Sequence, residues 1–178
     1  WQRRFAAVCR LVGEERLAGE FLAQSEGLLR TVDDHCWDGS WYLRAFFDDN
    51  SKMGSQESEE CQIDLLPQSF AVFAGMPREE RVDTALRSAL DRLVDHKLRL
   101  VQLFDPPFQY AAQQPGYVKA YPSGIRENGG QYTHSAVWFA MALKQHGWVD
   151  EGYKILAMLN PTDRTLHPGL IESYRHVP

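Results

Sequence analysis

Two long stretches without helical periodicity divide an otherwise helical sequence, and this alternation limits the folds that the chain can adopt. Outside these two stretches, apolar residues recur mostly at steps of three and four. The first irregular stretch covers about residues 33–68, and the second, residues 105–130, contains four prolines and four glycines. Loops of this length in a compact domain are usually functional. Helices that alternate with long loops, without a series of alternating strands, predict a mostly α-helical fold.

The periodicity predicts five helices, with ends set by glycine and proline. They cover about residues 5–31, 69–74, 78–96, 133–146 and 150–159. Gly13 and Gly19 weaken the first helix, and Gly75 ends the second. Short strand pairs are expected near residues 41–47 and 62–66, inside the first long loop.

Composition excludes several classes of protein. The 178 residues predict one domain, and a net charge of -5 argues against nucleic acid as a partner. The 3 cysteines lack the spacing of a zinc site and favour a reducing, cytoplasmic compartment over a disulfide-stapled secreted fold. No apolar run is long enough for a membrane helix, so no membrane contact is expected from this segment. Because the first residue is Trp1 rather than Met, we expect a piece of a longer polypeptide.

The most informative motif lies in the first long loop, where Asp38 stands between Trp37 and Trp41 and Arg44 follows. Sugar sites pair aromatic platforms with carboxylates and guanidinium groups, and burial beside an indole raises a carboxyl pKa toward the range of a general acid. The alternative is a Trp-rich packing loop in which Asp38 is an ordinary turn residue next to Gly39.

A second motif runs from Tyr121 to His134, at the end of the second irregular stretch. Its Gly129-Gly130 pair permits positive φ and close backbone approach. It leads into a helix N-terminus, which is a natural site for anions, with Arg126 and His134 nearby. The alternative is a glycine-rich connector. In a third segment, residues 61–69, Asp64 and Gln68 could bind hydroxyl groups, although a helix capped by Ser69 explains most of that pattern.

Taken together and in this order, these segments resemble glycoside hydrolase family 94, the inverting disaccharide and β-glucan phosphorylases. Their motifs look most like those of the phosphorylase-like domain of cyclic β-1,2-glucan synthases and of 1,2-β-oligoglucan phosphorylases. The matching segments are Trp37–Ser55 (WDGSWYLRAFFDDNSKMGS), Cys61–Ser69 (CQIDLLPQS), Leu103–Phe108 (LFDPPF), Pro115–Trp138 (PGYVKAYPSGIRENGGQYTHSAVW) and Leu159–Pro161 (LNP).

The resemblance implies an all-α fold, an (α/α)6 barrel of six helical hairpins whose loops form a saccharide pocket at one end. Five predicted helices amount to roughly half of such a barrel. A TGSA-like motif that the family uses later in its sequence is not found before Pro178. Residues 1–178 are therefore expected to form a single partial catalytic domain, with exposed apolar hairpin faces.

The resemblance also implies phosphorolysis of a β-linked glucan, with β-1,2 linkages expected, to α-glucose 1-phosphate and a shorter chain. Asp38 matches the general acid and His134 the phosphate-binding histidine. The remaining matches are to substrate-binding residues, namely Trp37, Arg44, Gln68, Arg126 and Glu127. Glucan and phosphate are the expected partners. Phosphate is a substrate, so no metal or organic cofactor is implied, and a homodimer is possible.

Two other functions remain open at this stage. An inverting hydrolase on the same barrel would use Asp38 as the acid and Glu127 as the base, since the separation of the two carboxyl groups cannot be read from sequence. The second open function is that of a non-catalytic fragment that only binds glucan. Phosphate dependence of product formation distinguishes the hydrolase from the phosphorylase.

Overall fold

A computed structural model describes residues 1–162, and helices dominate this part of the chain. Its six α-helices are α1 (Gln2–Leu11), α2 (Glu15–His35), α3 (Leu65–Ala74), α4 (Glu79–Leu93), α5 (Thr133–Gln145) and α6 (Val149–Leu159). A short 3-10 helix covers Gly116–Ala120 in the second long loop. The predicted mostly helical fold is confirmed, while the partial barrel predicted over residues 1–178 extends beyond the described residues. Among the described helices, none has the length and apolarity to cross a bilayer.

Three two-stranded antiparallel ladders join the long loops to the helices. They pair β1 (Ala45–Phe46) with β2 (Lys52–Met53), β3 (Ile63–Asp64) with β6 (Phe104–Asp105), and β4 (Val94–Asp95) with β5 (Leu100–Val101). The β3–β6 ladder sets Asp64 opposite Phe104 and so brings the first long loop against the second. Short strands were predicted at β1 and β3, and both are confirmed.

Several helix boundaries differ from the prediction for identifiable reasons. The single helix expected over residues 5–31 is two helices, because Gly13 takes a φ of +82° and turns the chain between α1 and α2. Helix α3 begins at Leu65 rather than at Ser69, because the Asp64 carboxylate caps it by accepting a hydrogen bond from Leu66 N at 2.8 Å. Helix α4 ends at Leu93, since the next two residues form β4.

The main hydrophobic core lies where α3 and α6 pack against α5 and α4 packs against α3. Among its fully buried side chains are Leu65, Leu86, Phe139, Leu143 and Ile155. The α1–α2 hairpin has a separate and much smaller core of Ala6, Cys9 and Ala18. Burial of large aliphatic and aromatic side chains stabilises the first region far more than burial of alanines stabilises the second.

A buried ionic network ties the α1–α2 hairpin to the main core. The Asp33 carboxylate, 1% exposed at the end of α2, accepts a hydrogen bond from the Tyr42 hydroxyl at 2.7 Å. Arg78 Nη1 lies 2.7 Å from the same carboxylate, and Arg81 lies at 3.4 Å. Because the Asp33 carboxylate has these three partners, it can stay buried at the junction of the two regions, while the Arg78 side chain remains 42% exposed.

Large apolar side chains remain exposed on the outside of the described structure. On the α1–α2 hairpin they are Trp1, Phe5, Val8, Leu11, Val12 and Leu28. Phe70 of α3 and Trp138 of α5 form a second exposed group, with ring centroids 5.4 Å apart. Exposed apolar groups of this kind mark surfaces that can pack against another part of a protein or against a partner.

Candidate active site

The long loops and the start of α5 enclose a cleft of about 300 Å³. Its walls come from the first long loop, from the 3-10 helix, from residues 103–104 and from the segment that leads into α5. Its lining is Arg44, Met53, Asp64, Leu66, Leu103, Phe104, Tyr117, Val118, Glu127, Tyr132 and His134. The cleft therefore gathers residues from four of the five motif segments singled out in the sequence.

Asn128 holds the loop that carries Glu127 into the cleft. Its side chain is fully buried, accepts from Phe108 N at 2.8 Å, and donates to Phe108 O and Tyr121 O at 2.8 Å each. An amide that donates twice and accepts once from backbone groups fixes three points of the loop at the same time. The backbone at Glu127 is thereby placed independently of any bound ligand.

The two glycines that follow allow the loop to pack without a gap, as their sequence predicted. A Cβ atom at Gly129, whose φ is +76°, would lie 2.7 Å from Pro107 Cγ, and one at Gly130 would lie 2.7 Å from Gly124 O. Real Cβ atoms do not approach heavy atoms so closely, so only glycine fits at either residue.

Glu127 lines the cleft and has one carboxylate oxygen that can still accept a hydrogen bond. Its Oε1 accepts a hydrogen bond from the Tyr132 hydroxyl at 3.1 Å, and this bond is the main reason that the pKa of Tyr132 is raised. Its Oε2 is buried and accepts no hydrogen bond, with Arg126 Nε 4.0 Å away. A buried carboxylate oxygen without a donor is costly, and a ligand hydroxyl would satisfy it.

Arg44 and Asp64 line the cleft from the first long loop. Arg44 Nε lies 3.5 Å from Asp64 Oδ2, while Asp64 Oδ1 caps α3. The Asp64 side chain is only 3% exposed, and this burial raises its pKa to about 6 although Arg44 and the Leu66 amide act in the other direction. The Arg44 side chain is 42% exposed and lines the cleft, so it is accessible to a ligand there.

His134 lies at the N-terminus of α5, where a helix attracts anions. The cap residue Tyr132 makes no side-chain hydrogen bond to the helix, so the first amides of α5 are not capped by its side chain. The His134 ring packs edge-on against Tyr132 at 4.3 Å and Trp138 at 4.9 Å. His134 and Tyr132 also line an open depression beyond the cleft that includes Arg126. Helix amides, an imidazole and a guanidinium suit an anion such as phosphate.

The structure does not bring Asp38 into this cleft. Asp38 Oδ1 accepts from the Ser55 hydroxyl at 2.9 Å with Lys52 Nζ at 3.7 Å, and Oδ2 accepts from Gln56 N at 2.7 Å. Its side chain is 6% exposed. Both oxygens are committed to closing the loop on itself, so Asp38 is held as a loop clamp and does not reach the residues gathered around Glu127.

Trp37 and Gln68, two predicted substrate contacts, also lie elsewhere. Trp37 packs against the main core, with the Tyr42 ring at 5.1 Å and the Arg81 guanidinium at 5.1 Å from its ring centroid. Gln68 is fully buried, donates to Tyr42 O and Asp64 O, and accepts from Tyr42 N. Their functional groups serve packing and backbone hydrogen bonds, and the prediction that they contact substrate is not supported by this geometry.

Sequence reasoning missed both tyrosines of the cleft. Tyr132 donates to Glu127, and Tyr117 forms part of the wall from the 3-10 helix. Tyr132 lies five residues after Glu127 inside a motif that was already recognised, so its place could have been found there. Tyr117 lies in an irregular stretch with no periodicity to indicate which way its side chain points. Within residues 1–162, no group of three or more His, Cys, Asp or Glu side chains is placed to hold a metal ion.

A cleft with carboxylate acceptors, cationic donors and aromatic walls, formed by loops on a helical scaffold, is typical of a carbohydrate-active enzyme. Comparison with known sequences agrees with this class. The pattern described as "Glycosyl hydrolase 94 superfamily, catalytic domain" matches residues 1–177. The chain belongs to the glycosyl hydrolase 94 superfamily, and the predicted family is confirmed.

Curated relatives include one synthase and several phosphorylases. The chain is 40% identical over 153 residues to the cyclic beta-(1,2)-glucan synthase NdvB of Rhizobium meliloti, covering 86% of this chain and 5% of that protein. It is 30% identical to the cellobionic acid phosphorylase of Neurospora crassa, covering 89% and 20%, and 32% identical to the solabiose phosphorylase of Paenibacillus borealis, covering 87% and 21%. The chain thus spans between a twentieth and about a fifth of the length of these relatives.

Proposed function

We propose that this chain forms part of an enzyme that phosphorolyses, or in reverse builds, β-linked glucans, with β-1,2-glucan as the substrate. The observation that carries the proposal is the cleft in which Glu127, with one buried carboxylate oxygen that accepts no hydrogen bond, lies beside the N-terminus of α5. Membership of a superfamily that includes phosphorylases supports the reaction type, and the 40% identity to a cyclic β-(1,2)-glucan synthase supports the linkage.

In the proposed reaction, a phosphate oxygen attacks the anomeric carbon while the glycosidic C–O bond breaks and the leaving oxygen takes up a proton. His134, the amides at the start of α5 and Arg126 hold the phosphate, because cationic and N–H donors stabilise its charge before and during attack. Glu127 accepts a hydrogen bond from a hydroxyl of the sugar on the leaving side, and Arg44 donates to the same sugar from the wall of the first long loop.

The proton must come from a carboxyl group that reaches the glycosidic oxygen. The oxygens of Asp38 are held by Ser55 and Gln56, and those of Asp64 face the Leu66 amide and Arg44. We therefore assign the acid to another part of the complete enzyme, since the chain spans only 20% of the length of a phosphorylase that it matches. Asp38 then keeps the first long loop closed and acts on catalysis only through that loop.

The proposal is tested with the longest polypeptide that contains residues 1–178. β-1,2-Gluco-oligosaccharides are incubated with and without inorganic phosphate, and α-glucose 1-phosphate and free glucose are both measured. We expect sugar phosphate only when phosphate is present. Replacing His134 with Ala should lower the rate at least 100-fold and raise the KM for phosphate, because one oxyanion donor contributes about that much. The exposed His96, replaced in the same way, is the matched control.

Each other result supports a different function. Free glucose produced without phosphate would contradict phosphorolysis and indicate the inverting hydrolase. Oligosaccharide binding without any product from the intact enzyme would indicate the non-catalytic role.

A further inference from the structure

The Glu60 carboxylate binds three consecutive backbone amides of the second long loop. Its Oε2 accepts from Gln109 N at 2.8 Å and Ala111 N at 3.1 Å, and its Oε1 accepts from Tyr110 N at 2.7 Å. Burial of the carboxyl group opposes ionisation, yet the three amides and nearby Lys119 outweigh it and lower the pKa of Glu60. A carboxylate that takes up three successive amides fixes that piece of backbone against its own loop.

These contacts continue a ladder that brings the two long loops together. Cys61 N donates to Pro106 O at 2.7 Å and Gln62 N donates to Asp105 O at 2.8 Å. Beyond Pro106 the second loop has no strand partner among the described strands, and the Glu60 side chain takes over where the ladder stops. Glu60 is thus a polar connection from the first loop to the part of the second loop that leads to the cleft, beside the apolar cluster in which Val118 packs near Cys61.

The segment that Glu60 holds runs directly into one wall of the cleft. Five residues after Ala111 the 3-10 helix Gly116–Ala120 begins, and it places Tyr117 and Val118 in the lining. Lys119, in the same helix, donates back to Ala111 O and so ties this wall to the residues that Glu60 binds. The walls from the first long loop and from the segment that leads into α5 have their own anchors, in the cap of α3 and in Asn128.

Glu60 itself does not line the cleft, so it can affect a ligand only through the wall that it holds. A change that loosened this wall would alter the fit of the sugar. It would leave the residues proposed to bind phosphate, at the start of α5, in place. The consequence for kinetics is a change in substrate binding that is separate from the chemical step.

We propose that Glu60 is a positioning residue for the glucan site, which sets the distance of the Tyr117–Val118 wall from Glu127 and thereby the affinity for the oligosaccharide. The inference rests on the proposed function, because it takes the cleft to be the place where the glucan binds. Glu60 lies outside the cleft. Its contribution is to the binding of the glucan and not to the binding of phosphate.

The test compares Glu60→Gln with Glu59→Gln in the longest polypeptide that contains this chain. Glu59 is the exposed neighbour, so its replacement changes the net charge equally without touching the second loop. Gln offers one acceptor oxygen where the carboxylate uses two, so at least one amide loses its partner. We expect the KM for the oligosaccharide to rise about tenfold, with kcat and the KM for phosphate within about threefold of the unchanged enzyme.

Hydrogen exchange supplies a second measurement that does not depend on activity. The amides of residues 109–111 should exchange at least tenfold faster in Glu60→Gln than in Glu59→Gln, while those of α5 stay unchanged. Equal falls in kcat and kcat/KM, an unchanged oligosaccharide KM, or unchanged exchange at these amides would each overturn the proposal.

Failure of the proposed function gives a different pattern from failure of this inference. If the enzyme forms no sugar phosphate, oligosaccharide affinity is measured directly by titration with β-1,2-gluco-oligosaccharide. A tenfold weaker affinity in Glu60→Gln alone then supports the positioning role, and equal affinities contradict it. Glu60→Asp keeps the charge on a shorter side chain. If the carboxylate holds the wall, the oligosaccharide affinity of Glu60→Asp should lie between that of Glu60→Gln and that of the unchanged enzyme.

Discussion

The loop around Asp38 and the cleft around Glu127 both carry the residue types of a sugar site, yet they differ in what their polar atoms are free to do. In the Asp38 loop each carboxylate oxygen already has a donor within 2.9 Å. In the cleft, Glu127 Oε2 has no donor and the Arg44 side chain is partly exposed. A satisfied carboxylate stabilises its own loop, whereas an unsatisfied one beside a cavity can bind a ligand.

The two regions also differ in whether their polar residues stabilise the fold or are available to a ligand, and a sequence motif alone does not show this difference. Asp38 and the two residues that donate to it, Ser55 and Gln56, lie within 18 positions of one another, and their hydrogen bonds hold the first long loop together. The residues of the cleft come from segments up to 90 positions apart, Arg44 to His134, and they face one space. Four predictions sharpen or break this contrast.

The largest effect is expected from the titration of Asp64. Its pKa is raised to about 6 from 3.8 by burial, so the folded state binds its proton more tightly than the unfolded state. This contribution to the free energy of unfolding is present below pH 4 and is lost as pH rises through about 6, by roughly 3 kcal/mol. In Asp64→Asn the step should vanish.

The measurement is denaturant unfolding from pH 4 to pH 7, in which the unchanged chain is compared with Asp64→Asn. Subtracting the two curves removes the titration of other groups. Asp91→Asn, at an exposed residue of α4, is the control and should leave the curve unchanged. A difference curve that stays flat over this pH range would show that Asp64 is not held in a pocket of this kind.

The second prediction concerns Glu127→Gln. Replacing the unpartnered oxygen with an amide nitrogen should remove the acceptor for a sugar hydroxyl, and kcat/KM for the oligosaccharide should fall about 100-fold, equivalent to about 2.7 kcal/mol. Steady-state phosphorolysis measures it, with Glu59→Gln as the control. A value within twofold of the unchanged enzyme would remove Glu127 from the site.

The third prediction tests directly whether Asp38 stabilises its loop or takes part in catalysis. Asp38→Asn should cost about 1–2 kcal/mol of stability, since an amide nitrogen would face the donor of Ser55 or Gln56. Activity of the folded enzyme should stay within about threefold. Thermal unfolding and phosphorolysis are measured in parallel, with Asp48→Asn as the control at an exposed residue of the same loop. A 1,000-fold fall in kcat without loss of stability would restore Asp38 as the general acid.

The smallest effect is expected for Tyr132→Phe. The substitution removes the hydroxyl that donates to Glu127 Oε1 at 3.1 Å but leaves the ring against His134. We expect the oligosaccharide KM to rise about threefold, equivalent to about 0.6 kcal/mol. Tyr153→Phe, at a residue of α6 that is 72% exposed, provides the matched control. A lowered KM would show that Tyr132 competes with the sugar for Glu127.

The fold was predictable wherever local signals and packing agree. Helices α5 and α6 lie within one residue of their predicted ends, because glycine and proline bound strongly apolar periods. The division of α1 from α2 was missed, since the sequence does not show whether Gly13 remains helical, like Gly19, or turns the chain. The start of α3 was misplaced by four residues because two residues, Asp64 and Ser69, both have capping side chains.

The site was predictable only in part, for a reason that lies in three dimensions. Glu127, Arg44 and His134 were identified and the structure brings them together. Asp38 looked equally suitable, and what distinguishes it is the return of the chain at Ser55 and Gln56 to bind both of its oxygens. Whether a carboxylate has hydrogen-bond donors depends on such tertiary contacts, and residue type and spacing in the sequence do not reveal them.

The absence of space beside Gly129 and Gly130 has a consequence for how this protein can evolve. A methyl group at either residue would overlap Pro107 Cγ or Gly124 O at 2.7 Å, so any accepted replacement must be accompanied by a shift elsewhere in the same loop. The two ends of the second long loop, near Pro107 and near Gly129, therefore cannot diversify independently. In a library that randomises residues 105–130, new sugar preferences should arise from the exposed face of the 3-10 helix, while the glycine pair is retained.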